Sequence, residues 1–133
     1  MEFSAPNEDF FKFIEDHIND DPVKLRLKYH KVKDSSFDIL FAITQIECRQ
    51  RTKKKIPHIL CNRNFLFPTK LLSEQCTDEI ISDFHGQLFD GCENVIDMTA
   101  GLFVDTFNIS RNVKSVIGIE MDEYSISRKI LFL

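Results

Sequence analysis

The sequence predicts an α/β protein in which a helical N-terminal part precedes the first strands of a parallel sheet. Apolar residues recur at helical spacing between residues 7 and 90. Val95 to Asp97 then has the composition of a short buried strand, and a second strand, Ser115 to Ile119, ends at Glu120. A predicted helix, Val104 to Ser110, separates the two strands. This order is that of a βαβ unit, whose strands are parallel.

The first two helices carry recognisable start signals. Phe10 and Ile14 lie on one apolar helical face, and Asn7 precedes them as a candidate N-cap. Pro22 suits the first position of a second helix that runs to His30. Apolar and basic residues alternate between positions 23 and 30, so a strand is the alternative there.

A third helix is predicted to follow Asp34-Ser35-Ser36, with Ser35 and Asp38 as a capping pair. A connector, residues 56 to 68, is bounded by two prolines. A fourth helix opens at Ser73 or Thr77 and carries an apolar stripe of Ile80, Ile81, Phe84 and Leu88. We therefore predict a helical subdomain with its connector over residues 1–68 and an α/β domain over residues 69–133.

Composition excludes several classes of protein. A net charge of −4 does not indicate bulk electrostatic attraction to nucleic acid. The four cysteines are widely spaced without a Cys-x-x-Cys pair, so we predict no zinc site and free thiols, as is typical of a cytoplasmic protein. No secretory signal is visible at the N-terminus. No apolar run is long enough to span a bilayer.

The loop between the two strands has the layout of a nucleotide-cofactor site. Asp97 ends the first strand, Gly101 lets the backbone turn closely, and Glu120 follows the second strand 23 residues after Asp97. An acid at that place accepts hydrogen bonds from ribose hydroxyls. Alternatively, Asp97 only caps the loop and Glu120 is a solvated strand end. The Gly-x-Gly-x-x-Gly pattern is absent, which argues against a nicotinamide-dependent oxidoreductase.

The segment Val95 to Phe107 reads Val-Ile-Asp-Met-Thr-Ala-Gly-Leu-Phe-Val-Asp-Thr-Phe. It resembles motif I of class I S-adenosylmethionine-dependent methyltransferases. The subgroup most similar to it includes the J-type small-subunit ribosomal RNA guanine methyltransferase and the THUMP-like-domain methyltransferases of Bacteroidetes. Gln45 to Arg49, Phe67-Pro68 and Glu74 to Cys76 also resemble the THUMP-like family.

This resemblance implies a Rossmann-like domain that binds S-adenosyl-L-methionine. Glu120 would accept hydrogen bonds from the ribose, and Met121 would pack against the adenine. Phe103 stands where the family has its second loop glycine, and its ring can cover or fill the methionine end of the site. No catalytic residue is assigned. The cofactor-binding residues implied are Asp97, Thr99, Gly101, Val104, Asp105, Glu120 and Met121.

A complete methyltransferase sheet would need roughly 200 residues, since each βαβ unit takes about 30. The chain has 133 residues and is therefore expected to be the N-terminal fragment of a methyltransferase, inactive alone, whether natural or artificial. The alternative is a non-catalytic helical interaction module with a vestigial Rossmann half. Such a chain could self-associate through its open sheet edge.

RNA is the predicted methyl acceptor and partner, with a protein or a small molecule as the alternative acceptors. Six cations could form a phosphate-binding patch, and Phe65 or Phe67 could stack on a base. The structural alternative is that these cations simply suit the C-terminus of the third helix. A His58-x-x-Cys61 pair is only weak evidence for a metal or catalytic site. The predicted patch comprises Arg49, Arg51, Lys53, Lys54, Lys55 and Arg63.

Overall fold

The computed structural model describes residues 6–121 of the chain. Within them, seven helices and two strands follow one another along the sequence. They are α1 (Glu8–Asp16), α2 (Pro22–Tyr29), α3 (Ile39–Thr52), α4 (Pro57–Leu60), α5 (Lys70–Gln75), α6 (Glu79–Leu88), β1 (Asn94–Asp97), α7 (Val104–Ser110) and β2 (Ser115–Gly118). The predicted α/β fold, with helices before a Rossmann-like half-sheet, is confirmed.

The first two helices begin where their caps predict. The Asn7 side-chain oxygen accepts a hydrogen bond of 3.0 Å from the Phe10 N–H. Asp21 caps α2 by accepting from the Val23 N–H at 2.8 Å, and Pro22 takes the first helical position. Residues 22–29 are therefore helical, and the strand alternative is wrong.

The predicted start of α3 is wrong. Asp38 is the N-cap, because its carboxylate accepts the Phe41 N–H at 2.9 Å, and the helix begins at Ile39. The Ser35 hydroxyl instead accepts the Phe37 N–H at 3.3 Å and holds a local turn. Short polar side chains compete for the same backbone donors, and here the later residue starts the helix.

The segment between α3 and β1 contains more helices than predicted. The connector includes the single turn α4. The predicted fourth helix is two helices, since Cys76 has an extended backbone between α5 and α6. Thr69 caps α5 through the Leu72 N–H at 3.3 Å, and Asp78 caps α6 through the Ile80 N–H at 2.9 Å. Ser73 and Thr77 are therefore not the caps.

Two apolar clusters hold the described residues together. The first joins α1, α2 and α3 through Phe10, Leu25, Phe41, Ile43 and their neighbours. The second cluster combines residues before and after Pro68 and reaches the loop after β1. Its buried members are Cys48, Ile56, Phe67, Cys76, Leu102 and Val104. The predicted domain division after residue 68 stays a prediction.

A buried glutamine fixes the start of the second cluster. Gln45 is fully buried on α3. Its side-chain amide forms hydrogen bonds with both the backbone N–H and the backbone carbonyl of one residue, Phe67. Its Nε2 donates to the Phe67 carbonyl at 2.9 Å, and its Oε1 accepts from the Phe67 N–H at 2.7 Å. The connector is thereby locked against the longest helix without leaving a buried polar group unpaired.

The two strands are parallel, with Asn94 opposite Ser115 and Asp97 opposite Gly118. Helix α7 connects them, and α6 packs on α7. The buried side of α6 is formed by Ser82 and Gly86, and a Cβ at Gly86 would lie 2.7 Å from the Asn108 carbonyl oxygen. Small residues thus let the two helix backbones approach closely.

The predicted apolar stripe of α6 is not buried. Ile80 is 82% exposed, and Ile81, Phe84 and Leu88 are also exposed. The periodicity correctly predicted a helix. However, α6 contacts α7 through its small residues Ser82 and Gly86 and not through the apolar stripe. The apolar stripe and the exposed sheet residues Ile96 and Ile117 remain as uncovered apolar surface among the described residues.

Candidate functional site

The parallel register brings the ends of both strands to one edge. The Ile119 N–H donates to the Asp97 carbonyl at 2.7 Å, and the Ala100 N–H donates back to the Ile119 carbonyl at 3.0 Å. These two bonds tie the loop after β1 to the end of β2. Asp97 and Glu120, distant in sequence, therefore belong to the same edge of the sheet.

The Asp97 side chain shapes the loop. It accepts the Thr99 N–H at 3.0 Å and the Thr106 hydroxyl at 2.5 Å. One carboxylate therefore connects the end of β1, the loop and the first turns of α7. Gly101 turns the loop in the left-handed region with φ of 50°. Any other residue would be strained at that position.

Phe103 is also left-handed, with φ of 63°, directly before α7. A residue with a side chain pays about 1 kcal/mol or more for this conformation, which explains why a glycine is the expected occupant. The Phe103 N–H donates to the Ala100 carbonyl at 2.6 Å and closes the turn.

The Phe103 ring lies against the end of β2. A Cβ built at Gly118 would come within 2.5 Å of Phe103 Cε1 and 3.2 Å of the Ala100 side chain. Only a glycine leaves room for the ring at this point. The ring therefore fills the space between the loop and the last residue of β2, next to the strand end that leads to Glu120.

Asp105 lies on the side of α7 that faces α6. Its carboxylate accepts the Thr77 hydroxyl at 2.7 Å and pairs with His85 Nδ1 at 3.0 Å. Burial raises the pKa of Asp105, but hydrogen bonds from Thr77, His85 and Ser82 outweigh burial and leave this pKa lowered. The side chain thus ties the two helices together.

The remaining predicted cofactor residues differ in exposure. Val104 is buried and belongs to the second apolar cluster. Thr99 is exposed, Glu120 is half-buried, and Met121 is 91% exposed. The structure brings Asp97, Thr99, Gly101 and Glu120 together at the strand ends, whereas Val104 and Asp105 serve contacts inside the fold.

Most of the predicted basic patch already has internal partners. Arg49 donates to four backbone carbonyls of the connector, the shortest bond being 2.6 Å to Phe65, and burial lowers its pKa. Arg51 pairs with Glu47 and Glu74, and Arg63 pairs with Glu8.

The remaining lysines and the two phenylalanines of the predicted RNA surface differ in how exposed they are. Lys55 donates to the Glu74 and Cys76 carbonyls, while Lys53 and Lys54 are exposed and are the two members of the predicted patch without a described acceptor. Phe67 is fully buried and is not available to stack on a base. Phe65 is half-buried.

His58 forms a pair that the sequence did not predict. Its Nδ1 lies 2.8 Å from Glu79 Oε2, while Cys61 bonds the Pro57 carbonyl instead. Glu79 also accepts the Ile59 N–H at 2.9 Å. The described residues contain no group of three or more His, Cys, Asp or Glu side chains placed to hold a metal. None of their helices is long and apolar enough to cross a membrane.

No family model matches the chain, and no curated protein matches it either. A solved structure is similar: the crystal structure of a protein from Porphyromonas gingivalis W83, described as a "putative methyltransferase". The match has a TM-score of 0.71 at 18% identity and covers 94% of this chain. It covers 32% of the other chain, so the present chain spans about a third of that protein's length. At this identity the similarity shows a shared fold.

Proposed function

We propose that the chain carries the cofactor half-site of an S-adenosylmethionine-dependent methyltransferase. The observation that carries the proposal is the shared edge of β1 and β2, where the loop is hydrogen-bonded to the end of β2, Asp97 ends β1 and Glu120 follows β2. The shared fold with the Porphyromonas gingivalis protein supports the same interpretation.

The residues of this edge fit the proposed cofactor. Glu120 supplies a carboxylate for the ribose hydroxyls, and the exposed Met121 thioether suits contact with a flat adenine. Asp97 holds the loop through Thr99 and Thr106, and Gly101 permits close approach of the backbone. When bound, the cofactor supplies an electrophilic methyl group, and the chain's part is to hold it in a fixed orientation.

For the methyl acceptor we propose RNA, with Lys53 and Lys54 as the cations that remain to contact phosphate. RNA binding should weaken roughly tenfold between about 50 and 200 mM salt, as two phosphate contacts imply, and should be lost when both lysines are changed to glutamate. Salt-independent retention of RNA, or unchanged binding by the double variant, would count against this surface.

Calorimetric titration of S-adenosylhomocysteine into the purified chain tests the cofactor half-site. We expect saturable binding that Glu120→Ala weakens at least tenfold. Glu93→Ala is the matched control, because Glu93 is an exposed acid that precedes β1 and pairs with Lys114 at the opposite end of the same sheet. Absence of binding to the folded chain, or equal losses in both variants, would refute the proposal.

A non-catalytic interaction module is the second candidate, and the uncovered apolar surface favours it. Ile80, Phe84 and Leu88 on α6 are more than half exposed, as are Ile96 and Ile117 on the sheet. Surfaces of this kind mark association sites. Concentration-dependent sedimentation without any heat from S-adenosylhomocysteine would favour this function over the first.

A further inference from the structure

A cavity of about 380 Å³ lies between the connector and the start of α7, away from the two strand acids. Its volume is within the lower part of the range of small-molecule sites. Three phenylalanine rings line it, and its other walls are aliphatic except for two polar side chains. The lining residues are His58, Ile59, Asn62, Phe65, Leu102, Phe103, Val104 and Phe107.

The connector wall of this cavity is held rigidly. Arg49 reaches from α3 and donates to the carbonyls of Leu60, Asn62, Arg63 and Phe65. Glu79 of α6 holds the other end of the wall through the Ile59 N–H and His58. A wall fixed by hydrogen bonds at both ends loses little conformational freedom when a ligand binds.

The opposite wall exposes an aromatic ring. Phe107 is 57% exposed on α7, although Val104 beside it is buried. The Phe107 ring on one wall, together with Phe65 and Phe103 in the rest of the lining, favours a flat aromatic ligand that can stack or make edge contacts. None of the residues that line this cavity is an Asp, Glu, Lys or Arg, so an uncharged ring fits best.

Asn62 gives the cavity a directional hydrogen-bond donor. Its Oδ1 accepts the Asn64 N–H at 3.0 Å, so the orientation of the amide is fixed and Nδ2 is left to donate. His58 is fixed in a similar way by Glu79. Asn62 therefore suits a ring edge that carries a nitrogen or oxygen acceptor, whereas the neutral form of His58 donates from Nδ1 to Glu79 and leaves Nε2 as an acceptor.

An adjoining cavity of about 360 Å³ shares His58, Ile59 and Phe107 with the first. It is more polar, since Glu79, Asp83 and Arg111 contribute to its walls. A polar substituent on the ring could therefore extend into it. The two cavities together match an apolar ring joined to a hydroxyl-bearing group.

We propose that these cavities form a binding site for an uncharged, planar aromatic heterocycle with a polar substituent, which adjoins the cofactor half-site at Phe103 and Val104 but uses neither strand acid. Phe107 stacks on the ring, and Asn62 donates to its edge. The site is complete within the described residues and does not depend on Glu120.

Fluorescence titration with 2-aminopurine riboside tests this site, because stacking quenches that base and the chain has no tryptophan to interfere. We expect saturable quenching that Phe107→Ala weakens about tenfold, as loss of one stacking partner should. Phe84→Ala is the matched control: Phe84 is 58% exposed on α6 and lines neither cavity.

A second variant tests the donor. Asn62→Asp keeps an oxygen for the Asn64 N–H but replaces the donating NH₂ with a negative oxygen, so we expect at least a tenfold loss. Glu120→Ala should leave quenching unchanged, which separates this site from the cofactor half-site. No saturable quenching by the folded chain, or equal effects of Phe107→Ala and Phe84→Ala, would overturn the proposal.

Discussion

Phe103 offers a sharp test of the proposed cofactor half-site. Its ring lies on Gly118 between the loop and the end of β2, and its backbone is left-handed. We expect a ligand that reaches from the loop toward Glu120 to displace this ring. Phe103→Gly removes the ring and places the residue that best tolerates a positive φ at the same position.

The expected change in stability is small because two effects oppose each other. Relief of the left-handed conformation contributes about 1 kcal/mol. Loss of a half-buried phenyl ring costs about 1 kcal/mol, and the greater chain freedom of glycine in the unfolded state costs about 0.5 kcal/mol more. The variant should therefore unfold in urea within about 1 kcal/mol of the parent chain.

Cofactor affinity should respond more clearly. If the ligand must break a ring contact of about 1 kcal/mol, removing that ring should tighten S-adenosylhomocysteine binding about fivefold in calorimetry. Phe103→Ala separates the two causes, since it removes the ring while keeping an unfavourable φ for a residue with Cβ. It should bind as tightly as the glycine variant but unfold more easily. Unchanged or weaker binding in both variants would refute the reasoning.

Three further changes test the fold around the site. Gln45→Leu should lower the free energy of unfolding, measured by urea denaturation, by about 3 kcal/mol, because the backbone N–H and carbonyl of Phe67 both lose a buried hydrogen-bond partner. Gly86→Ala should cost about 2 kcal/mol, since the new Cβ would collide with the Asn108 carbonyl. The lowered pKa of Asp105 means that its carboxylate stabilises the fold above about pH 4 and loses this effect as pH falls through the folded-state pKa. Asp105→Asn should therefore flatten the acid side of a profile of stability against pH.

Exposed positions provide the controls. Gln87→Leu and Gln87→Ala on the surface of α6 should each change the free energy of unfolding by less than about 0.5 kcal/mol. Asp90→Asn, at an exposed turn, should leave the shape of the pH profile unchanged. Effects of similar size at Gln87 and Gln45, or parallel pH profiles for Asp90→Asn and Asp105→Asn, would contradict these assignments.

Local sequence signals predicted the parts of the fold that depend on local physics. Asn7 and Pro22 mark helix starts because capping and a fixed φ act within a few residues. The βαβ order of β1, α7 and β2 was equally readable from apolar runs and the glycine at position 101. The predicted start of α3 was wrong because Asp38, interpreted as the capping partner of Ser35, is itself the N-cap.

Features that depend on distant contacts were not predictable. The period of α6 identifies a helix, but only the close fit of Gly86 on α7 decides that the apolar stripe faces outward. Arg49 belongs to a basic run in the sequence, yet its charge is directed to connector carbonyls. The cavity containing Asn62 and Phe107 exists only because two distant segments meet.

The parallel pairing of β1 and β2 also determines how the candidate site assembles during folding. Interstrand hydrogen bonds can form only when the crossover between Asp97 and Ser115, which contains α7, brings the two strands side by side. The bond from Ile119 to Asp97 is part of the same closure. Formation of the loop and the acid edge is therefore coupled to closure of the same βαβ crossover, whose entropic cost falls on both.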